Sequence, residues 1–298
     1  MNNIKKLKRE KNACILAHYY VDSQVQEVAD YVGDSFYLAR LAQRLENPVV
    51  IIAGVYFMAE SIKILNPEKK VFMLDNGADC PMAHMITPDK IETMRKKYED
   101  LAVVTYINST AEIKAYSDVC VTSSNAVKIV KKLPEKNIFF IPDKNLGSYV
   151  ADHVPEKNII LNQGFCPVHD HVIKQHVDEI IDKKNRPVVM VHPECRREII
   201  KMADYVGSTK GIIENVENFS ADSPYLILTE KGIGSELEKR FPNREFNFLQ
   251  DFICPDMKLC NMEKLEKVLK GEGKEIVVDS EIAERAKVPL RRMLELGD

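Results

Sequence analysis

Three cysteines, each followed by proline, recur along the chain at almost equal intervals: Cys80-Pro81, Cys166-Pro167 and Cys254-Pro255, 86 and 88 residues apart. The thiolate is the form of cysteine that binds metal or attacks an electrophile. Proline fixes φ and has no N–H, so it shapes the loop that aims each sulfur. Equal spacing implies three similar units, each bringing one thiolate to a common point. Three thiolates could hold zinc, with water as the fourth ligand. A thiolate-only set that stops at three favours a [4Fe–4S] cluster, because four cysteines are the rule for clusters that only carry electrons. With three, one iron stays open and can act as a Lewis acid on a hydroxyl or carboxylate. The remaining four cysteines do not fit the pattern. Cys14, Cys120 and Cys195 lie in or beside apolar runs and read as core residues. Cys260 follows Cys254 by six residues and is left outside the ligand set.

A second group of residues could do acid–base and anion chemistry. It comprises His18, Tyr19 and Tyr20, then Tyr106, Ile107, Asn108 and Ser109, then His192, Pro193 and Glu194. His18 and His192 occupy one repeat position, with Tyr106 in the third slot, and such groups have pKa values that surroundings can bring near neutrality. Hydroxyl residues form a further set: Ser35, Ser123 with Ser124, and Ser208 with Thr209. One serine at a helix start is normally just a cap. Three at equivalent positions, converging on the cysteines, point to an anionic ligand carrying carboxylates or phosphate.

The elements that position these residues repeat as well. Ala29-Asp30-Tyr31-Val32-Gly33-Asp34-Ser35 is answered by Ser117-Asp118-Val119-Cys120-Val121-Thr122-Ser123 and by Ala203-Asp204-Tyr205-Val206-Gly207-Ser208-Thr209, with the aspartates 88 and 86 residues apart. Several landmarks in one register mean an internal triplication. In each copy, four short apolar runs alternate with helical segments. The first runs are Ala13–Ala17, Ala102–Thr105 and Pro187–Val191; the fourth, Val71–Leu74, Ile159–Leu161 and Phe246–Leu249, lead into the cysteines. Unbroken β-branched runs suit strands buried on both faces of a parallel sheet. The expected fold class is therefore α/β, with three homologous αβα-sandwich domains, each built on a four-stranded parallel sheet. Expected boundaries are 1–86, 87–170 and 171–258. The tail, 259–298, starts a fourth copy (helix Met262–Lys270, strand Glu275–Val278, helix Glu281–Ala286) and is expected to pack on the first repeat.

Composition narrows the setting. The net charge of −3 and the lack of a basic run give no surface for nucleic acid. No apolar window approaches the roughly 18–20 residues of a membrane span, and the N-terminus does not read as a signal peptide. Seven widely spread cysteines do not form a disulfide framework, so a reducing, cytoplasmic location is expected.

At these residues the chain resembles the quinolinate synthase family, which serves de novo NAD biosynthesis. The resemblance rests on Ala17-His18-Tyr19-Tyr20, Val32-Gly33-Asp34-Ser35, Cys80-Pro81-Met82-Ala83, Tyr106-Ile107-Asn108-Ser109-Thr110, Thr122-Ser123-Ser124-Asn125-Ala126, Cys166-Pro167-Val168-His169, Val191-His192-Pro193-Glu194-Cys195, Tyr205-Val206-Gly207-Ser208-Thr209 and Asp256-Met257-Lys258. It implies a pseudo-threefold triangle of domains around a [4Fe–4S] cluster held by Cys80, Cys166 and Cys254. It implies that iminoaspartate and dihydroxyacetone phosphate condense to quinolinate, phosphate and water, with another enzyme supplying the iminoaspartate. The positions carried over for substrate binding are His18, Ser35, Tyr106, Ile107, Asn108, Ser123, His192, Pro193, Glu194 and Thr209. Glu194 is the expected proton shuttle with Tyr20 as its acid partner, while His18, His192 and Tyr106 polarise or hold substrate oxygens. Two departures stand out: Val21 follows His-Tyr-Tyr where glutamine is frequent, and Cys254 and Cys260 stand where many members have three close cysteines. Other three-cysteine cluster enzymes, such as the diphthamide-synthesis radical enzymes and the terpenoid-pathway diphosphate reductase, need sites for S-adenosylmethionine or diphosphate. His-Tyr-Tyr and His-Pro-Glu argue instead for small carboxylates. A non-enzymic iron–sulfur sensor would need a partner-binding element such as a basic helix, and none is evident.

Overall fold

The computed structural model describes residues 2–184, 186–220 and 222–297. Among the described residues, twelve strands fall into three sheets. The first contains β1 (Ala13–His18), β2 (Tyr31–Gly33), β3 (Val49–Ala53) and β4 (Lys70–Met73). The second contains β5 (Leu101–Tyr106), β6 (Val119–Val121), β7 (Asn137–Ile141) and β8 (Asn158–Leu161). The third contains β9 (Val188–Val191), β10 (Tyr205–Val206), β11 (Tyr225–Leu228) and β12 (Phe246–Phe248). Within each sheet the strand order is second, first, third, fourth, and every pairing is parallel. The central strands are buried along their length, as their apolar sequences require once helices cover both faces.

The repeated aspartates have a structural task. Asp30, Asp118 and Asp204 precede the second strand of each sheet. Each carboxylate accepts a backbone N–H from the neighbouring first strand: Ile15 at 2.8 Å, Val103 at 2.6 Å and Val189 at 2.8 Å. Each aspartate N–H returns a bond to the carbonyl of the same residue. This closes the ladder where the short edge strand begins, and satisfies donors that burial would otherwise leave unpaired.

The tail departs from expectation in two ways. Glu275 makes only an isolated antiparallel bridge to Phe72, and Ile276 donates to the Val71 carbonyl at 2.8 Å, so β4 gains a contact rather than a full strand. The last helix runs from Ser280 to Gly297, much longer than expected, and packs mainly on the second repeat, against β6 and the Ala111–Ala115 and Ala126–Lys132 helices. It also touches the Tyr56–Leu65 helix of the first repeat. The cause is its apolar stripe: Ala286, Leu290 and Met293 are buried, at the i, i+4, i+7 spacing of one helix face. Arg292 and Arg285 reinforce the seating by donating to the carbonyls of Asp118 and Ala115. Among the described residues no helix is long and apolar enough to cross a membrane.

Candidate active site and metal centre

The carboxyl ends of the three sheets converge on one cavity, where open parallel sheets place their ligands. Cys80, Cys166 and Cys254 all line it, and no other described cysteine does. Each cysteine caps a one-turn helix that begins with its proline: Pro81–His84, Pro167–Asp170 and Pro255–Lys258. Their backbone angles nearly coincide, with φ/ψ of −88/114, −78/116 and −85/110 degrees. Burial pushes the Cys80 and Cys166 thiols up and raises Cys254 to about 11. Backbone N–H groups of Met82 and Ala83, of His169, and of Asp256 and Met257 act the other way and favour the thiolates. A bound cation would complete that reversal. Three converging sulfurs with matched backbones suit a metal centre. Cys166, His169 and Glu194 also offer ligand atoms within 4.8 Å of one another.

The other four cysteines stay out of the cavity. Cys195 is fully buried with its sulfur toward the Leu228 carbonyl, and the Cys260 thiol faces the Gly54 carbonyl at 3.4 Å. Burial raises Cys14, Cys120 and Cys260 to about 12, which keeps them as inert thiols.

Of the residues singled out in the sequence, His18, Tyr20, Ser35, Tyr106, Ile107 and Asn108 line this cavity, as do Ser123, His192, Glu194 and Thr209. Pro193 does not. It lies between two inward-facing residues, and the chain turns there, with Cys195 N–H bonded to the His192 carbonyl at 3.0 Å, so the ring is buried away from the lining. Of the hydroxyl residues, Ser208 is a cap, its side chain accepting the Gly211 N–H at 3.1 Å, whereas Ser35, Ser123 and Thr209 are not. The N-caps are Asp34 and Ser208, so Ser35 and Thr209 are first helical residues, and Ser123 precedes a helix capped by Asn125.

His18 and His192 adopt one local geometry. The Nδ1 of each accepts the backbone N–H two residues on, from Tyr20 at 3.2 Å and from Glu194 at 3.3 Å. An accepting Nδ1 places the ring proton on Nε2. The Nε2 of His192 lies 3.2 Å from Ser123 Oγ, and His18 lines the cavity. Burial first, and then Lys258 for His18 and His18 for His192, lowers both rings to about 3. Burial also holds His169 well below 6.5 and Glu194 well above 4.5. The 3.0 Å contact between His169 Nδ1 and Glu194 Oε2 is therefore a hydrogen bond between neutral partners, with the proton on the carboxyl.

His169 was not singled out as an active residue by sequence, and neither was Thr229. Tyr20 Oη lies 2.7 Å from both Thr209 Oγ1 and Thr229 Oγ1, and Thr229 Oγ1 lies 3.0 Å from His169 Nε2. A continuous chain thus runs Thr209, Tyr20, Thr229, His169, Glu194. Tyr20 reaches Glu194 through two intermediaries rather than directly. The sequence signal for His169 was its position three residues after Cys166, one turn along the short helix.

The backbone path of Tyr19 and Tyr20 is set by Gly232 of the third repeat. A Cβ at Gly232 would stand 2.8 Å from both the Tyr19 oxygen and the Tyr20 Cα, so only glycine permits this approach.

The neutral histidines give an acid dependence. Their unfolded pKa is near 6.5, so the stability they contribute is complete above that pH. It is lost as pH falls toward 3, at up to about 1.4 kcal/mol per unit for each ring. The thermal midpoint is expected to fall between pH 7 and pH 5, with a shallower fall in His192→Asn. Equal slopes by calorimetry would contradict the neutral-ring assignment.

The family model described as "Quinolinate synthetase A protein" matches residues 2–295. The chain belongs to that family. It is 58% identical to a Fusobacterium nucleatum protein named quinolinate synthase, over 99% of both chains. A Caldicellulosiruptor bescii protein of the same name is 48% identical over 99% of this chain and 98% of its own, and one from Clostridioides difficile is 45% identical over 99% and 97%.

Proposed function

We propose that this chain is a quinolinate synthase, condensing iminoaspartate with dihydroxyacetone phosphate at a [4Fe–4S] cluster held by Cys80, Cys166 and Cys254. The observation that carries the reading is the matched geometry of the three cysteines around one cavity that also holds His18, Tyr106, His192 and Glu194. Bound there, a cluster with one iron lacking a protein ligand supplies a Lewis acid for a substrate carboxylate or hydroxyl.

The protein groups supply the rest. The hydroxyls of Ser35, Ser123 and Thr209 and the Nε2–H of His18 donate to anionic oxygens. Tyr106 and Asn108 hold a carboxylate. The enamine carbon of iminoaspartate attacks the carbon bearing phosphate as phosphate leaves. The keto–aldo isomerisation that follows moves a proton between adjacent carbons. Imine closure and loss of two waters complete quinolinate. Glu194 stores the proton as a neutral acid, and His169, Thr229 and Tyr20 connect it across the site. Tyr20→Phe, which breaks the chain between Thr209 and Thr229, is expected to lower turnover about 10²-fold; unchanged turnover at saturating substrate would remove Tyr20 from the path. An enzyme that oxidises aspartate is the expected source of iminoaspartate, and a reducing cytoplasm would keep the thiols free.

The direct test is product formation by anaerobically prepared protein, with iminoaspartate made from oxaloacetate and ammonia. Quinolinate and phosphate should appear in equal amounts; their absence from loaded protein would overturn the reading. A second reading has one observation in its favour. Cys166, His169 and Glu194 could hold a single ion such as zinc. That site would leave Cys80 and Cys254 without a task despite their matched backbones.

A further inference from the structure

Val55, Asp143 and Glu230 occupy one repeat position, the N-cap of the element that follows each third strand. The residue after each cap donates its N–H to the carbonyl two residues before the cysteine. These bonds are Tyr56 to Ala78 at 2.8 Å, Lys144 to Gly164 at 2.8 Å and Lys231 to Phe252 at 2.9 Å. The capping element is thus fastened to the cysteine loop in all three repeats.

Two of the caps carry carboxylates, and both are fully buried. Glu230 Oε1 accepts the Cys254 N–H at 3.3 Å, whereas Asp143 Oδ1 accepts the N–H groups of Asn145 and Leu146 and so caps the helix whose Lys144 N–H is bonded to the Cys166 loop. In the first repeat Val55 is apolar, and Asp79 substitutes, its Oδ1 accepting the Cys80 N–H at 2.8 Å. The buried carboxylates also reach the next repeat. Lys258 Nζ lies 3.2 Å from Glu230 Oε1 and donates to the Tyr20 carbonyl at 2.7 Å. Asp143 Oδ1 accepts the N–H of Asn145, whose side chain donates to the Glu194 carbonyl at 2.9 Å. Asp143 Oδ2 has no hydrogen-bond partner among the described residues. Burying a carboxylate is costly, yet it happens twice at one repeat position.

We propose that Asp143 and Glu230 are positioning residues: Glu230 fixes Cys254 through its backbone N–H, Asp143 fixes the Cys166 loop by capping the helix fastened to it, and each ties its cysteine loop to Tyr20 or Glu194 in the following repeat. The inference rests on the cluster reading above. At Cys254, an N–H held by Glu230 is withheld from the cluster sulfurs, which lowers a cluster's potential. This suits an iron that acts as a Lewis acid rather than an electron carrier.

The test is chelator stripping of the anaerobically loaded holoprotein, followed by absorbance, with the midpoint potential and the thermal midpoint measured alongside. Asp143→Ala and Glu230→Ala should lose the cluster about 10–100-fold faster than the wild type. Glu230→Gln, which keeps an acceptor oxygen, should lose it near the wild-type rate but at a more positive potential. Val55→Ala should lower the thermal midpoint without faster cluster loss. Alanine variants that strip at the wild-type rate, or Val55→Ala stripping as fast as they do, would overturn the inference. If the alanine variants do not fold, Glu230→Gln carries the test, and an unchanged potential would overturn it. A wild-type chain that takes up no iron and sulfide would overturn the cluster reading and this inference together; a loaded wild type with indifferent variants overturns this inference alone.

Discussion

Glu194→Gln is expected to reduce turnover by about 10²–10⁴-fold, the range for removal of a general acid–base group. The carboxyl is fully enclosed, touches the rings of His169 and His192, and is held protonated by burial. Glutamine preserves its shape but cannot carry a proton. The same burial argues that the substitution will not unfold the protein. A carboxyl whose pKa is raised in the fold destabilises the folded state at pH values above its unfolded pKa of about 4.3. Removing the titration should therefore leave the thermal midpoint at pH 7 unchanged or higher. Near-normal turnover with intact metal would exclude Glu194 as the shuttle. A lowered midpoint would contradict the neutral-acid assignment.

The largest effect is expected at the cysteines. Cys80→Ala, Cys166→Ala and Cys254→Ala should each abolish turnover and bleach the cluster absorbance, because a three-thiolate site has no spare ligand. Cys14→Ala should do neither, since its thiol is held near 12 by burial and lies in β1, away from the cavity. Cys260→Ala is the sharper control. Its sulfur follows Cys254 by six residues yet faces the Gly54 carbonyl outside the cavity. Cluster loss in Cys260→Ala matching that in Cys254→Ala would mean the ligand set is wrong.

What was legible in the sequence follows from how each feature is encoded. Strands buried on both faces read as unbroken apolar runs, so β1, β5, β9 and their partners could be placed within a residue or two. The repeat then put the three cysteines, and also His18 and His192, at equivalent strand ends, where the structure gives them matching conformations and matching Nδ1 bonds. Thr229 and His169 were not legible, because their roles come from bonds to Tyr20 and Glu194 in other repeats. Asp143 and Glu230 shared a repeat position that could have been noticed, but Val55 broke the pattern. Pro193 was drawn in by its neighbours, although the turn at His192 buries its ring. Ser35 and Thr209 were read as hydroxyls opening their helices toward an anion, and they are first helical residues, with Asp34 and Ser208 capping one residue earlier. The tail was expected on the first repeat, and its earlier part does pack there, with Glu275 on Phe72 and Lys264 paired to Asp75; its last helix instead packs mainly on the second repeat, because a stripe of Ala286, Leu290 and Met293 says that it packs, not on what.

The central claim is that three cysteines from three repeats hold one iron–sulfur cluster. It is tested most directly by counting iron, acid-labile sulfide and zinc in the anaerobically purified wild-type chain. The expected result is about four irons and four sulfides per chain, as a [4Fe–4S] cluster requires. One zinc per chain with no sulfide would contradict the account.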